Sequence, residues 1–372
     1  MTTEVNRRHV PVLSQDVIRY LAVREGGTYL DCTLGFAGHA SQIARLLGPD
    51  GHLIGFDRDP LALELAGQRL KLLADELGDR VPKVTLIGEA FSSVAEHVKP
   101  GSLDGLLADF GVSSMQIDEA ERGFSFQADG PLDMRQDTRQ ALTAAQVVNE
   151  MDESDLANLI YEYGEERRSR RIARAIVRAR PVTTTGHLAR VVAGSAPAIK
   201  NERIHPATRT FQALRIHVNR ELDEIRKLLE AAPGLLKPAL LKSTGISSSP
   251  SSNTAGRLVV ISFHSLEDRI AKDVLRETAA KGIWTVLTRK PVVADESETD
   301  HNPRARSAKL RAAEMGNEQE FEKRPDFRDV GSGVQRTGFQ QLSGKKQGKA
   351  SPGQDKGPKS KAAGKKKKRL RD

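Results

Sequence analysis

Short apolar runs alternate with helical patterns over the first 110 residues, and three of the runs finish in an aspartate. Residues 28–31 form the first and end in Asp31. The turn Leu34-Gly35-Phe36-Ala37-Gly38-His39 follows, then a helix bearing Ile43, Leu46 and Leu47. A second strand at 52–57 ends in Asp57, a helix covers 61–73, and further strands are predicted at 84–87 and 103–109, the last ending in Asp109. This alternation predicts an α/β fold with a parallel sheet. A short lead-in helix precedes it, with Ser14 as expected cap and Val17, Ile18 and Leu21 on its apolar side.

From about 115 to 235 strand signal gives way to helical periodicity, at 142–150, 153–163, 165–180, 185–192 and 208–229. Strand signal returns at 256–263, 283–287 and 307–313. The pattern describes a helical block inserted into one α/β domain. The Ser-rich segment 243–256 reads as a flexible loop. Beyond about 315 order is expected to fade into a disordered basic tail.

The net charge of +9 belongs to that tail. Residues 341–372 hold 12 Lys/Arg against two Asp/Glu, so the other 340 residues sum to −1. A basic composition therefore says little about whether the core binds nucleic acid. One cysteine, Cys32, excludes an internal disulfide framework and a Cys-based zinc cluster. Its solitude fits a reducing, cytoplasmic setting. The N-terminus lacks the apolar stretch of a signal peptide, and no run approaches the roughly 18–20 apolar residues of a membrane span.

In an open parallel sheet, ligands bind beyond the carboxyl ends of the strands, where Asp31, Asp57 and Asp109 are expected. The first turn reads D-x-T-x-G-x-x-G rather than the G-x-G-x-x-G of a dinucleotide site. An acid in the first strand is awkward beside a pyrophosphate and well suited to a ligand carrying an ammonium. This favours S-adenosylmethionine, with Asp57 accepting from ribose hydroxyls. A nicotinamide-dependent oxidoreductase stays open as an alternative, and so does a non-catalytic ribosome-assembly protein that binds RNA.

Several longer stretches carry a resemblance. They include His9-Val10-Pro11-Val12-Leu13, Phe56-Asp57-Arg58-Asp59, Ala108-Asp109-Phe110-Gly111-Val112-Ser113-Ser114 and Glu121-Arg122-Gly123-Phe124-Ser125-Phe126. Further on come Gly130-Pro131-Leu132-Asp133-Met134-Arg135, Tyr163-Gly164-Glu165-Glu166 and Arg171-Ile172-Ala173-Arg174-Ala175-Ile176. The last are His205-Pro206-Ala207-Thr208-Arg209-Thr210-Phe211-Gln212, Ile261-Ser262-Phe263-His264-Ser265-Leu266-Glu267-Asp268-Arg269 and Asn302-Pro303-Arg304-Ala305-Arg306-Ser307. Over roughly residues 8–315 the chain resembles the bacterial methyltransferase family that modifies the exocyclic N4 amine of a cytidine in 16S ribosomal RNA, in the decoding region of the small subunit.

The resemblance implies a Rossmann-like class I methyltransferase domain from 1–115 and 236–315. It implies an inserted helical RNA-recognition domain at 116–235; the disordered basic tail, 316–372, lies outside the family pattern. It implies S-adenosylmethionine contacts at Ala37, Gly38, His39, Asp57, Phe91, Asp109 and Gln116, beside the Asp31 already singled out. Its partner would be small-subunit ribosomal RNA or the 30S particle, without membrane or metal; monomer and homodimer both stay open. Three departures stand out. Ala37-Gly38-His39 replaces the usual Gly-Gly-His, Cys32 replaces a usual Gly, and the Ser-rich loop replaces a short Pro-Gly-Gly turn.

A cytosine amine is a poor nucleophile, because its lone pair is delocalised into the ring. A hydrogen-bond acceptor would localise that pair, and Asp109 is the leading candidate for this catalytic role. Ser113, Ser114 and His264 are lesser ones. Carbon-5 methylation needs a cysteine nucleophile, and Cys32 sits in the cofactor turn instead. Arg167, Arg171, Arg174 and Arg178 repeat at spacings that stack them on one helix face, suited to RNA phosphates. Lys200, Arg203, His205 and Arg209 form a second basic cluster. Aromatic residues are only 4% of the chain, so recognition by shape and backbone, with one base drawn into the pocket, fits better than a stacking platform.

Overall fold

The computed structural model describes residues 11–196, 204–239 and 255–316. Lys200, Arg203, most of the Ser-rich loop and the tail beyond 316 lie outside the described residues, as do His9 and Val10. Seven strands form one sheet: β1 Thr28–Asp31, β2 His52–Phe56, β3 Lys83–Ile87, β4 Gly105–Asp109, β5 Arg257–Ser262, β6 Trp284–Val286 and β7 Lys309–Met315. Their order is β3-β2-β1-β4-β5-β7-β6. The first five strands run parallel, and β7 is antiparallel to both β5 and β6. This is the expected Rossmann-like class I methyltransferase sheet. The chain winds outward from β1 to β3, then returns to place β4 on the other side of β1. The switch point therefore opens a crevice beyond the ends of β1 and β4.

Strand residues alternate between the two faces with a period of two. Leu30, Leu106, Leu258 and Val260 enter one core, while Tyr29, Leu107, Val259 and Ile261 enter the other. The second face is covered by α1 Ser14–Leu21, α2 Gly38–Leu47 and α3 Pro60–Leu77, through residues such as Val17, Ile43 and Leu70. Val94 of the short α4 Val94–His97 joins the first core. Ser14 does not cap α1 as expected. The cap position is Leu13, in left-handed backbone with no side-chain cap, and its N–H donates to Glu298 Oε1 at 2.6 Å.

After the short α5 Ser114–Asp118, the helical lobe comprises α6 Ala144–Glu150, α7 Glu153–Gly164, α8 Ser169–Ala179, α9 Thr185–Ser195 and α10 Ala207–Asn219. Its separate core joins Ile160, Ile172, Ile176, Leu188 and Leu214. The expected helix at 208–229 is two helices. Arg220 takes left-handed backbone (φ 51°), and α11 Glu221–Leu235 sets off toward the sheet. Asn219 is the reason for the break: its side chain donates to Met134 O and accepts from Gln136 N, both at 2.8 Å. Ile225, Leu228, Leu229 and Ala232 of α11 pack on the first sheet face, so the segment 116–235 includes a helix of the sheet's own layer. The long α12 Ser265–Ala280 completes that layer, and the small α13 Glu296–His301 lies before β7. No helix among the described residues is long and apolar enough to cross a membrane.

Candidate active site

The turn after β1 is tied down from both sides. Cys32 N donates to Leu107 O on β4, and Leu34 N donates to Phe56 O on β2. Gly35 takes a positive φ of 49° and turns its N–H onto Asp57 Oδ2 at 2.8 Å. Helix α2 then starts at Gly38, with no side-chain cap on its first turn, so free N–H groups face the crevice. A Cβ on Gly38 would lie 3.3 Å from Pro11, which packs over the turn.

A cavity of about 310 Å³ opens at the predicted rim, within the range of small-molecule sites. Gly38, His39, Asp57, Phe91, Asp109 and Gln116 all line it. Ala37 and Asp31 lie behind its wall, 0% and 1% exposed. Ala37 adopts the left-handed backbone (φ 55°) where the resembled family carries glycine. Phe91 meets Phe110 at 6.3 Å and lies under the Arg58 guanidinium.

Three acids crowd one rim. Burial pushes both Asp31 and Asp57 up to about 6; for Asp31 the charges of Asp109 and Asp57 add to that rise, and His39 opposes it. Asp57 accepts from Gly35 N and Asp59 N, one on each oxygen. Each carboxylate oxygen keeps a lone pair for a hydroxyl. His39 Nε2 stands 3.7 Å from Asp109 Oδ2. Both His39 ring nitrogens and Asp109 Oδ1 are buried without a hydrogen-bond partner. Buried polar groups are almost always paired, so orphans on a cavity wall call for a ligand. A cationic one with donors fits this set.

Gln116 is already engaged. Its Nε2 donates to Asp59 Oδ2 at 2.8 Å, and its Oε1 accepts from Ser113 N in a capping box that starts α5. Asp59 is itself buried, capping α3 and pairing with Arg122 at 2.8 Å. Ser113 and Ser114, lesser candidates for the acceptor role, line the cavity. Cys32 lies at its floor with the thiol buried, which pushes the group well above its ordinary pKa.

His264 is not among the lining residues. It caps α12, and its Nε2 approaches Glu267 Oε1 at 3.0 Å. Glu221, His264 and Glu267 present atoms within 4.8 Å of one another, a grouping drawn from separate stretches that no local spacing reveals. Arg215 supplies countercharge there, donating through Nε and Nη2 to Glu221. Burial raises Glu267, but the nearby His264 and Arg215 outweigh it and hold this carboxyl below its usual range.

The expected RNA-contacting arginines lie away from the cavity. Arg171, Arg174 and Arg178 are exposed on α8, with Arg174 Nε 3.4 Å from Glu153. Arg167 does not join their helix as expected. Glu165 takes left-handed backbone, Arg168 N and its guanidinium bind Glu166, and α8 starts only at Ser169. Arg209 sits on α10 against Glu166 at 3.4 Å. Sequence reasoning missed the cations that do line the cavity, Arg58, Arg215 and Arg304, together with Gln136 and Phe263. Arg58 and Arg304 lie within quoted motifs, a signal open to closer reading; Arg215 has no such marker.

Comparison with known proteins places these features. The MraW methylase family model matches residues 6–316. "Ribosomal RNA small subunit methyltransferase H" of Acidobacterium capsulatum is 68% identical over 307 residues, covering 82% of this chain and 98% of that protein. Proteins of the same name from Koribacter versatilis and Geobacter sulfurreducens are 56% and 48% identical, each across 82% of this chain and covering 93% and 98% of those proteins. Among solved structures, an rRNA methylase from Streptococcus thermophilus aligns over 81% of this chain and 95% of that one, at 11% identity and a TM-score of 0.34. With a family match spanning the sheet, the helical lobe and every residue of the acidic rim, the chain belongs to the MraW methylase family.

Proposed function

We propose that this protein transfers the methyl group of S-adenosylmethionine to the exocyclic N4 amine of a cytidine in 16S ribosomal RNA. The observation that carries the reading is Asp109. It ends β4 at the switch point, lines the cavity, and holds a buried acceptor oxygen without a donor. Family membership and the relatives' shared name support a ribosomal RNA substrate, and they leave the nicotinamide and binding-only alternatives without support.

S-adenosylmethionine, when bound, supplies an electrophilic methyl on a cationic sulfur. Asp57 holds ribose hydroxyls through its spare lone pairs, and the first turn of α2 with His39 holds the polar end. The buried Asp31 sets a negative potential behind them. Phe91 and Phe110 supply apolar wall. Asp109 accepts a hydrogen bond from the amine, localises its lone pair and keeps it aimed; the reacting atoms need to be held about 3–3.5 Å apart in line. Cys32 is too buried and too weakly acidic to attack carbon 5, which favours transfer to nitrogen.

In this reading, residues 1–115 and 236–315, with Gln116 and α11, form the cofactor half, and the rest of the helical insert 116–235 presents RNA. Arg167, Arg171, Arg174, Arg178 and Arg209 contact its backbone. The tail 316–372 adds salt-sensitive, sequence-blind affinity. Small-subunit RNA or the 30S particle is the substrate, in the cytoplasm, and the displacement needs no metal. Nucleoside mass spectrometry of small-subunit RNA incubated with and without the protein and S-adenosylmethionine tests this. N4-methylcytidine appears only with the protein and is lost with Asp109→Asn. Methylation at carbon 5, or none, rejects the reading.

A further inference from the structure

Three cations line the cavity among the described residues, and two are committed. Arg58 donates to Asn219 O at 2.8 Å and pairs with Glu224 at 3.3 Å. Arg215 grips Glu221 through Nε and Nη2. Arg304 differs. Its Nη2 reaches Ser114 O and Asp118 Oδ1 only at 3.5 Å, the outer limit of a hydrogen bond. The Asp118 side chain is 72% exposed, so this pair is solvated and weak. Burial lowers the Arg304 pKa more than Asp118 raises it, which marks a guanidinium short of negative charge.

Its placement is firm. Arg304 belongs to the 3-10 turn Pro303–Ser307, whose Ala305 is buried, as is the following Ala308, both in the second sheet-face core. Ala305 N and Ala308 N close the turn on Asn302 O and Ala305 O. The guanidinium thus projects from a rigid base to the Asp109–Ser114 side of the cavity, where the acceptor base enters under the function proposed above. A base drawn out of its strand brings its own phosphodiester to the pocket mouth, and a forked donor with spare N–H groups matches phosphate oxygens.

We propose that Arg304 is the phosphate anchor of the target nucleotide: it binds the phosphodiester beside the cytidine whose amine meets Asp109. The assignment rests on the RNA-methyltransferase reading.

The test compares wild type, Arg304→Gln, Arg304→Lys and, as a neighbouring control, the exposed Arg306→Gln, in methyl transfer to small-subunit RNA over a salt series. S-adenosylhomocysteine binding is measured alongside. Arg304→Gln raises KM for RNA about tenfold, as expected for one charge-assisted contact. It also makes the dependence of log(kcat/KM) on log salt shallower by about 1. Its kcat and S-adenosylhomocysteine affinity stay at wild-type values, Arg304→Lys restores most of the KM, and Arg306→Gln changes little. Wild-type transfer with an unchanged KM and salt slope in Arg304→Gln overturns the anchor alone. So does a parallel loss of S-adenosylhomocysteine affinity, which assigns Arg304 to the cofactor side. No transfer by wild type overturns the functional reading and the anchor with it.

Discussion

Asp31 is 1% exposed at the end of β1, and one backbone N–H, that of Thr33, bonds its Oδ1 at 3.1 Å. Burial lifts its carboxyl from 3.8 to about 6. A raised carboxylate means the folded state binds more protons than the unfolded chain between those values. Its favourable contribution is therefore present below pH 3.8 and is lost as pH rises through about 6. At neutral pH the penalty is on the order of 3 kcal/mol. In the absence of ligand, Asp31→Asn, which keeps the acceptor for Thr33, is expected to exceed wild type in stability by about 1–3 kcal/mol at pH 7.5. That advantage vanishes near pH 4. Urea unfolding at several pH values checks it, and a pH-independent difference contradicts it. Under the proposed function, this costly buried charge serves the cationic methyl donor. Asp57 and Asp109 were legible as acids ending strands. The orphaned nitrogens of His39 were not, because satisfaction of a buried group depends on its neighbours and not on its place in the chain.

At the scale of elements, α11 shows what periodicity misses. Its apolar positions continue those of α10 without interruption, so 208–229 reads as one helix. The break at Arg220 is imposed from outside, by Asn219 bonding the 134–136 segment and by Arg58 donating to Asn219 O. Tertiary contacts override local propensity there. Because α11 packs on the sheet, Leu228→Ala, at a fully buried position, is expected to cost about 2–5 kcal/mol. Chemical denaturation measures this, and a loss below 1 kcal/mol would place α11 outside the core. For α8 the helical face survives at Arg171, Arg174 and Arg178, while Arg167 is carried on the preceding turn. Replacing Arg171 and Arg178 with Gln is expected to weaken RNA binding uniformly across sequences and to flatten its salt slope by about 2. S-adenosylhomocysteine affinity should not change. Filter binding over a salt series reads the effect, and an unaltered slope removes α8 from the interface.

For the whole molecule, strand-helix alternation and the return of strands after residue 256 were enough to foresee a mostly parallel sheet with helices between β4 and β5, but not that β7 runs antiparallel. Strand order, and with it the meeting of β1 and β4, came only from pairing between distant segments. The cavity is likewise a product of assembly. One side comes from turns after β1 and β2, whereas Gln136 and Arg215 arrive from the lobe, and Arg304 from the turn before β7. Deleting 341–372 removes 12 cations. RNA affinity at low salt is expected to fall, with S-adenosylhomocysteine affinity unchanged. The central claim is that carboxylates at the strand ends hold a sulfonium methyl donor. Calorimetric titration of wild type and Asp57→Ala with S-adenosylmethionine, and with NAD as control, tests it most directly. The account predicts wild-type binding that strengthens as pH rises through about 6, its loss by about a hundredfold or more in Asp57→Ala, and no binding of NAD. Equal affinity in the variant, or tight binding of NAD, would contradict it.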